Sequence, residues 1–184
     1  MISSERETPY HKLCPSSAPI VEKLVETVHD PKTHRYSASK GIPGLRKAIS
    51  DYYARRFNVE IDPNTEAIVT LGSKEGLANL ASAITSPGDV ILVPNPSYPI
   101  HQFGFIIAGA SVRNVPVKPD ENYLLALEMA VIHSVPKPTA LVLNYPNNPT
   151  AITANLEFYY QVVDFCRRHE IYILSDLAYA ELYF

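Results

Sequence analysis

Four short polar segments of this sequence carry residue types that could bind a small ligand, and each follows an apolar run. The first is Gly72-Ser73-Lys74, where a glycine turn leads into a helical pattern. Free N–H groups and the dipole at a helix start suit a phosphate, to which a hydroxyl and an ammonium would add hydrogen bonds. The spacing of a Walker motif is absent. A phosphate site and an ordinary helix start both remain open.

The second segment places an aromatic ring among prolines. Tyr98 lies within Pro94-Asn95-Pro96-Ser97-Tyr98-Pro99, directly after an apolar strand pattern. A ring held at the end of a strand could stack on a flat, ring-shaped ligand. The alternative is a tyrosine that packs over the rim of the core.

The third segment, Asn144–Thr150, reads Asn-Tyr-Pro-Asn-Asn-Pro-Thr. Pro146 and Pro149 restrict the backbone of this loop, and Asn148 offers an amide that can donate and accept hydrogen bonds. Asn-Pro pairs are also common in turns. A binding role for Asn148 and a purely structural one are both consistent with the pattern.

The fourth segment follows another apolar run and contains Asp176 and Tyr179. A carboxylate at the mouth of a parallel sheet is costly unless it is paired, and a protonated ring nitrogen would be a suitable partner. The alternative is that Asp176 caps the start of a helix.

The elements that must position these segments alternate along the chain. Short apolar runs predict strands, and stripes at helical spacing predict helices. Apolar strands that alternate with helices indicate an α/β fold with a mostly parallel, doubly wound sheet, which binds ligands beyond the carboxyl ends of its strands. The predicted strands are 67–71, 90–93, 111–115, 140–143 and 171–174, and the predicted helices are 20–28, 44–57, 73–85, 98–108, 124–132 and 153–168, the last with Thr153 as its N-cap.

Composition and charge narrow the function classes. The chain has 184 residues, a formal net charge of −3 and two cysteines without metal-ligand spacing. These values favour a globular protein of the reducing cytoplasm, with no nucleic-acid partner and no metal site. No apolar run reaches the length of a membrane span, and the polar N-terminus is unlike a secretory signal, so no membrane association is expected.

Taken together, the motifs resemble those of class I/II (fold-type I) pyridoxal-phosphate aminotransferases. The strings Arg35–Arg46, Gly72–Leu77 and Val93–His101, together with the segments around Asn148 and Asp176, are similar to the alanine and LL-diaminopimelate aminotransferase-like branch. The resemblance implies the large, cofactor-binding domain of a transaminase. Such an enzyme transfers an amino group between an amino acid and a 2-oxo acid with pyridoxal 5′-phosphate as cofactor, as part of amino acid metabolism.

The resemblance also assigns residues to the two ends of the cofactor. Gly72, Ser73 and Lys74 would hold its phosphate, and Tyr98 would stack on its pyridine ring. Tyr36 matches a tyrosine that reaches the phosphate of the neighbouring subunit, which implies a homodimer with shared sites.

Three further residues would contact the atoms of the ring. Asn148 and Tyr179 would hydrogen-bond the phenolic oxygen, and Asp176 would keep the ring nitrogen protonated. In that state the ring accepts electrons from the substrate's α-carbon.

The resemblance also has gaps. Residues 1–19 are expected to form an arm and 20–184 a partial large domain, with no small C-terminal domain, as in a chain truncated at both ends. Ala151 stands where the family usually has glycine. The lysines are residues 12, 23, 32, 40, 47, 74, 118 and 137, so the Schiff-base lysine expected after Asp176 is absent. Catalysis by the polypeptide alone is therefore uncertain, and the alternatives are an inactive remnant or one half of a split aminotransferase completed by a C-terminal fragment.

Overall fold

A computed structural model describes residues 17–182 as alternating helices and parallel strands. The predicted α/β class is confirmed. The first sixteen residues, which make up most of the predicted arm, lie outside the described part. The elements in chain order are α1 Ala18–His29, a short 3-10 turn Pro31–Thr33, α2 Pro43–Phe57, α3 Ser73–Ile84, β1 Val90–Asn95, α4 Ile100–Ile107, β2 Ser111–Pro116, α5 Glu121–Ile132, β3 Pro138–Asn144, α6 Leu156–His169 and β4 Tyr172–Asp176.

The four strands form one parallel sheet in the order β2-β1-β3-β4. Each crossover between sequential strands carries a helix, which is the connection that parallel strands require. The chain moves outward from β1 to β2, returns past β1 to β3 and then reaches β4. This change of direction between β1 and β3 is the kind of position at which α/β sheets form a ligand crevice.

Alternate residues of the strands belong to two separate hydrophobic layers, one on each face of the sheet. Leu92 and Leu141 belong to the layer covered by α5 and α6, whereas Ile91 and Val142 belong to the layer beneath α3 and α4. Because both faces are covered, β1 and β3 carry continuous apolar runs, at 90–93 and 140–143, rather than an alternating pattern. The doubly wound arrangement predicted from the sequence is thus present.

The predicted strand at 67–71 is wrong. This segment belongs to none of the strands described, and its connection to other backbone includes the bond from Val69 N–H to the Lys40 carbonyl (3.1 Å). Apolar residues favour a strand only where a neighbour offers hydrogen bonds. Leu71 instead has 93% of its surface exposed.

The start of α6 also differs from the prediction. The N-cap of α6 is Asn155, whose side chain accepts a hydrogen bond from Phe158 N–H at 2.9 Å, rather than Thr153. Asparagine and threonine are both good caps, so composition alone does not distinguish them.

Near the start of the described residues, α1 buries none of its residues. Within residues 17–182, no helix combines the length and apolar composition needed to cross a membrane.

Candidate functional site

The carboxyl ends of β3 and β4 place polar residues side by side. Asn144 and Asp176 are the last residues of these strands and are paired in register. A cleft of about 180 Å³ opens beside them. Its lining brings together candidates from all four segments, namely Ser73, Tyr98, Asn144, Asn148, Asp176, Ala178 and Tyr179.

The N-terminus of α3 reaches this cleft through Ser73. Gly72 precedes it with φ = 87°, a left-handed conformation that glycine adopts without strain. No side chain caps this helix start, whereas Asp120 and Asn155 cap α5 and α6. The first backbone N–H groups of α3 therefore remain free for an anion.

Two other charged groups occupy defined positions at the start of α3. Lys74 Nζ lies 5.4 Å from the centroid of the Tyr98 ring, a cation–π distance. Glu75, an acidic residue in the first turn, accepts a hydrogen bond from Leu71 N–H, so its carboxylate is held against the backbone that precedes the helix. Lys74 thus contacts another candidate residue, although neither it nor Gly72 lines the cleft directly.

Asp176 is held by a fully buried histidine. His101 Nε2 lies 2.9 Å from Asp176 Oδ2, and Ala178 N–H donates to Oδ1 at 3.1 Å. The hydrogen bond from His101 is the largest influence on this carboxyl group and, with the Ala178 N–H, lowers its pKa despite partial burial. Asp176 is therefore anionic at neutral pH and has lone pairs left for a further donor.

Asparagine side chains connect the two ring-contacting candidates. Asn148 Nδ2 donates to the Tyr179 hydroxyl at 2.8 Å, and Asn148 N–H donates to Asn144 Oδ1 at 2.9 Å. Asn144 Nδ2 in turn donates to the Asp176 carbonyl at 3.1 Å. Because the Tyr179 oxygen accepts from Asn148, its own proton is available for a ligand atom.

Sequence reasoning missed two members of this arrangement, His101 and Asn144. His101 follows Tyr98 by three residues, so a helical start there puts both side chains on one face, and their rings lie 6.1 Å apart. Asn144 begins the third segment and is the last residue of its strand, a position from which its role at the cleft could have been predicted. The remaining candidate, Tyr36, is fully exposed and lies outside the cleft lining.

Comparison with known proteins identifies the family. The sequence family of class I and II aminotransferases matches residues 10–184, almost the whole chain. The chain belongs to this family. The cofactor of class I and II aminotransferases is pyridoxal 5′-phosphate.

Several proteins of known sequence or structure are similar to this chain. It is 61% identical over 170 residues to putative aminotransferase AatC of Rhizobium meliloti and 52% identical over 163 residues to glutamate-pyruvate aminotransferase AlaC of Escherichia coli. These matches cover 92% and 89% of the chain but only 42% and 40% of the relatives. Substrate-bound BacF from Bacillus subtilis superimposes with a TM-score of 0.82 at 37% identity, over 90% of this chain and 42% of that one. The chain thus spans about two fifths of the length of these proteins.

Ala151, which stands where the family usually has glycine, has a strained backbone in the loop that follows β3. Ala151 has φ = 59°, while Asn147 donates to the Ile152 carbonyl at 2.9 Å and accepts from Ala151 N–H at 2.8 Å. The loop keeps these bonds although an L-residue pays about 1 kcal/mol or more in this conformation.

We expect Ala151→Gly to stabilise the chain by about 0.5–1 kcal/mol, because the relief of strain exceeds the added entropy of the unfolded state. The measurement is the midpoint of urea unfolding. Ala54→Gly, at an exposed position inside α2, should have the opposite sign and cost about 1 kcal/mol. Equal destabilisation by both changes would contradict the strain at Ala151.

Replacement of His101, whose imidazole is hydrogen-bonded to Asp176, should make this carboxyl group destabilise the fold rather than stabilise it. Its depressed pKa stabilises the fold above the pKa of the unfolded chain, and this contribution disappears as pH falls through the folded-state pKa. In His101→Leu the desolvation of Asp176 outweighs the remaining hydrogen bond from Ala178 N–H, so we expect the pKa of Asp176 to rise above that of the unfolded chain. Carboxyl carbon NMR titration measures this shift. His133→Leu, at the exposed C-cap of α5, should leave the Asp176 titration unchanged.

Proposed function

We propose that this chain forms the pyridoxal-phosphate-binding part of an aminotransferase that moves an amino group between an amino acid and a 2-oxo acid. The observation that supports this most directly is the cleft at the carboxyl ends of β3 and β4. One anionic carboxylate, one aromatic ring and one uncapped helix start meet there, and these three features suit the ring nitrogen, the ring face and the phosphate of this cofactor.

The phosphate end would lie against the start of α3. The left-handed Gly72 lets the chain turn into the helix, and the free N–H groups of its first turn favour an anion. Ser73 adds a hydroxyl at the cleft wall. Lys74, now over the Tyr98 ring, is near enough to supply a compensating charge.

The ring would lie between Tyr98 and Asp176. Tyr98 supplies an aromatic face for stacking. Asp176, fixed by His101, stabilises a proton on the ring nitrogen, and the bound cofactor then supplies an electron sink for the substrate's α-carbon. Burial of His101 keeps the carboxylate from rotating away from this position.

The phenolic oxygen would accept hydrogen bonds from Asn148 and Tyr179. In this structure the Asn148 amide donates to the Tyr179 hydroxyl, which leaves the tyrosine proton free. The pair is thus already oriented as a unit at the cleft wall, and a ligand oxygen there would complete its hydrogen bonding.

The assembly is proposed on the family pattern. Tyr36, fully exposed and away from the cleft of its own chain, would reach the cofactor phosphate of a second subunit in a homodimer.

The proposal also covers location and substrate: the protein would act in the cytoplasm, in amino acid metabolism. AlaC and the LL-diaminopimelate aminotransferase of Aquifex aeolicus, 41% identical, act on different amino acids by name, so the substrate is proposed only as a class.

A polypeptide of residues 1–184, taken alone, should bind the cofactor without catalysing transamination. None of its lysines follows Asp176, so it lacks the expected base and covalent anchor. Addition of a separate C-terminal fragment tests whether residues supplied by another polypeptide complete the site, because activity should then appear.

The experiment titrates the purified polypeptide with pyridoxal phosphate and follows cofactor absorbance and fluorescence. We expect saturable binding, no covalent cofactor–lysine adduct after borohydride treatment, and no glutamate from L-alanine and 2-oxoglutarate above the cofactor-only background. Lack of saturable binding would reject the proposed site. Turnover that survives Lys74→Ala but is lost in Asp176→Ala would reject the expected inactivity.

A further inference from the structure

A single carboxylate joins α2 to the turn that follows β4. Glu181 Oε1 accepts a hydrogen bond from the Tyr52 hydroxyl at 2.6 Å and another from Arg56 Nε at 2.9 Å. Tyr52 and Arg56 are four residues apart in α2, so they project from the same face of the helix. We call these three residues the Glu181 clamp.

Within residues 17–182, the side-chain hydrogen bonds of the clamp join α2 to a segment more than 120 positions away in sequence. None of the α2 residues is buried. Its other side-chain hydrogen bonds stay between residues 41 and 63, from Arg46 to Gly41 and Pro63, from Lys47 to Asp51 and from Ser50 to Ile61. Because little apolar packing fixes α2, a pair of charge-assisted bonds to one oxygen has more influence on its placement than it would in a buried helix.

The residue that shares this turn with Glu181 is a candidate cofactor ligand. Tyr179 is two residues before Glu181, and its hydroxyl accepts from Asn148 at the cleft. The turn is tight, with Ala180 N–H bonded to the Leu177 carbonyl and Leu182 N–H to the Tyr179 carbonyl, both at 3.0 Å. Movement of Glu181 would therefore be passed to Tyr179 through very few rotatable bonds.

The charges of the clamp agree with its geometry. The hydrogen bond from Tyr52, followed by the bond from Arg56, lowers the pKa of Glu181. The same hydrogen bond raises the pKa of Tyr52. The acceptor is thus ionised and the donor protonated around neutral pH, the two states in which this bond is strongest.

We propose that Glu181 is a positioning residue, which holds the turn against α2 so that the Tyr179 hydroxyl stays directed at Asn148 and the cofactor. The proposal rests on the proposed cofactor site. It assigns to Glu181 no contact with the cofactor itself.

The test compares Glu181→Ala, Glu181→Gln and Tyr52→Phe with Glu60→Ala, an exposed glutamate whose loss changes charge equally. Two quantities are measured, the dissociation constant of pyridoxal phosphate and the ring-carbon NMR signal of Tyr179 in the cofactor-free chain. We expect Glu181→Ala to shift the Tyr179 signal and to weaken binding about three- to tenfold. Glu181→Gln should do less, because an amide oxygen still accepts from Tyr52. In the double variant, Tyr52→Phe should add little to the effect of Glu181→Ala, because both changes remove the same hydrogen bond.

Three outcomes would overturn the clamp. One is a Tyr179 signal that responds to Glu181→Ala no more than to Glu60→Ala. Another is a shifted signal with unchanged cofactor affinity. The third is a lower melting temperature with neither effect, which would indicate a structural contact only. Should the unmodified chain fail to bind the cofactor, the proposed function fails, whereas the Tyr179 signal of the free chain still decides for or against the clamp.

Discussion

Replacement of Asp176 by asparagine should weaken pyridoxal phosphate binding about a hundredfold, equivalent to about 2.7 kcal/mol. The side chain keeps its shape and can still accept a hydrogen bond from His101, but it loses the negative charge that would pair with a protonated ring nitrogen. Charge-assisted bonds in a half-enclosed cleft are among the strongest polar contacts available to a ligand. Fluorescence titration of the cofactor measures the change.

The matched control for this substitution is Asp164→Asn. Asp164 is an exposed residue of α6 whose charge pairs with Arg168 at 3.2 Å, away from the cleft lining. It should leave the dissociation constant within about twofold, as expected of a surface pair. Equal cofactor affinity in the two variants would show that Asp176 does not bind the cofactor.

Truncation of Leu141 to alanine should cost about 3–4 kcal/mol of unfolding free energy. Leu141 is completely buried in β3, one of the two central strands, and packs in the layer covered by α5 and α6. The large effect combines the lost transfer free energy with a cavity that close-packed neighbours fill only in part. Urea unfolding followed by circular dichroism gives the value.

The comparison for Leu141 is Leu125→Ala, the same chemical change on α5 at a position that is 60% exposed. Its cost should stay near 0.5 kcal/mol or below. If both leucines prove equally tolerant, the layer beneath α5 and α6 is not a packed core. Leu141→Val, which removes one methylene, should fall between the two alanine variants.

The sequence was sufficient for features that depend on local pattern. The apolar runs at β1 and β3 and the stripes of α2, α3, α5 and α6 identified their elements to within a few residues. Since parallel strands end at one edge of a sheet, the polar residues that follow β3 and β4 could also be expected to converge.

What could not be predicted depends on partners distant in sequence. The apolar segment 67–71 has strand composition, but a strand forms only where another strand pairs with it. The His101–Asp176 bond joins residues 75 positions apart, and nothing local in either segment specifies it. The same holds for the Asn148–Tyr179 bond, because the sequence indicates a ligand contact for each residue but no contact between the two.

The position of β4 at the outside of the sheet has a consequence for backbone amide exchange with deuterated solvent. Strands β1 and β3 have neighbours on both sides, whereas β4 is bonded along one side only within the described residues. Amides of β4 that point away from β3 lack a ladder partner and should exchange rapidly, while those that point toward β3 exchange only when the strand detaches. The rates along β4 should therefore alternate residue by residue between fast and slow. Any strand that pairs with this edge would abolish the alternation, which makes the exchange pattern a direct assay for pairing along β4.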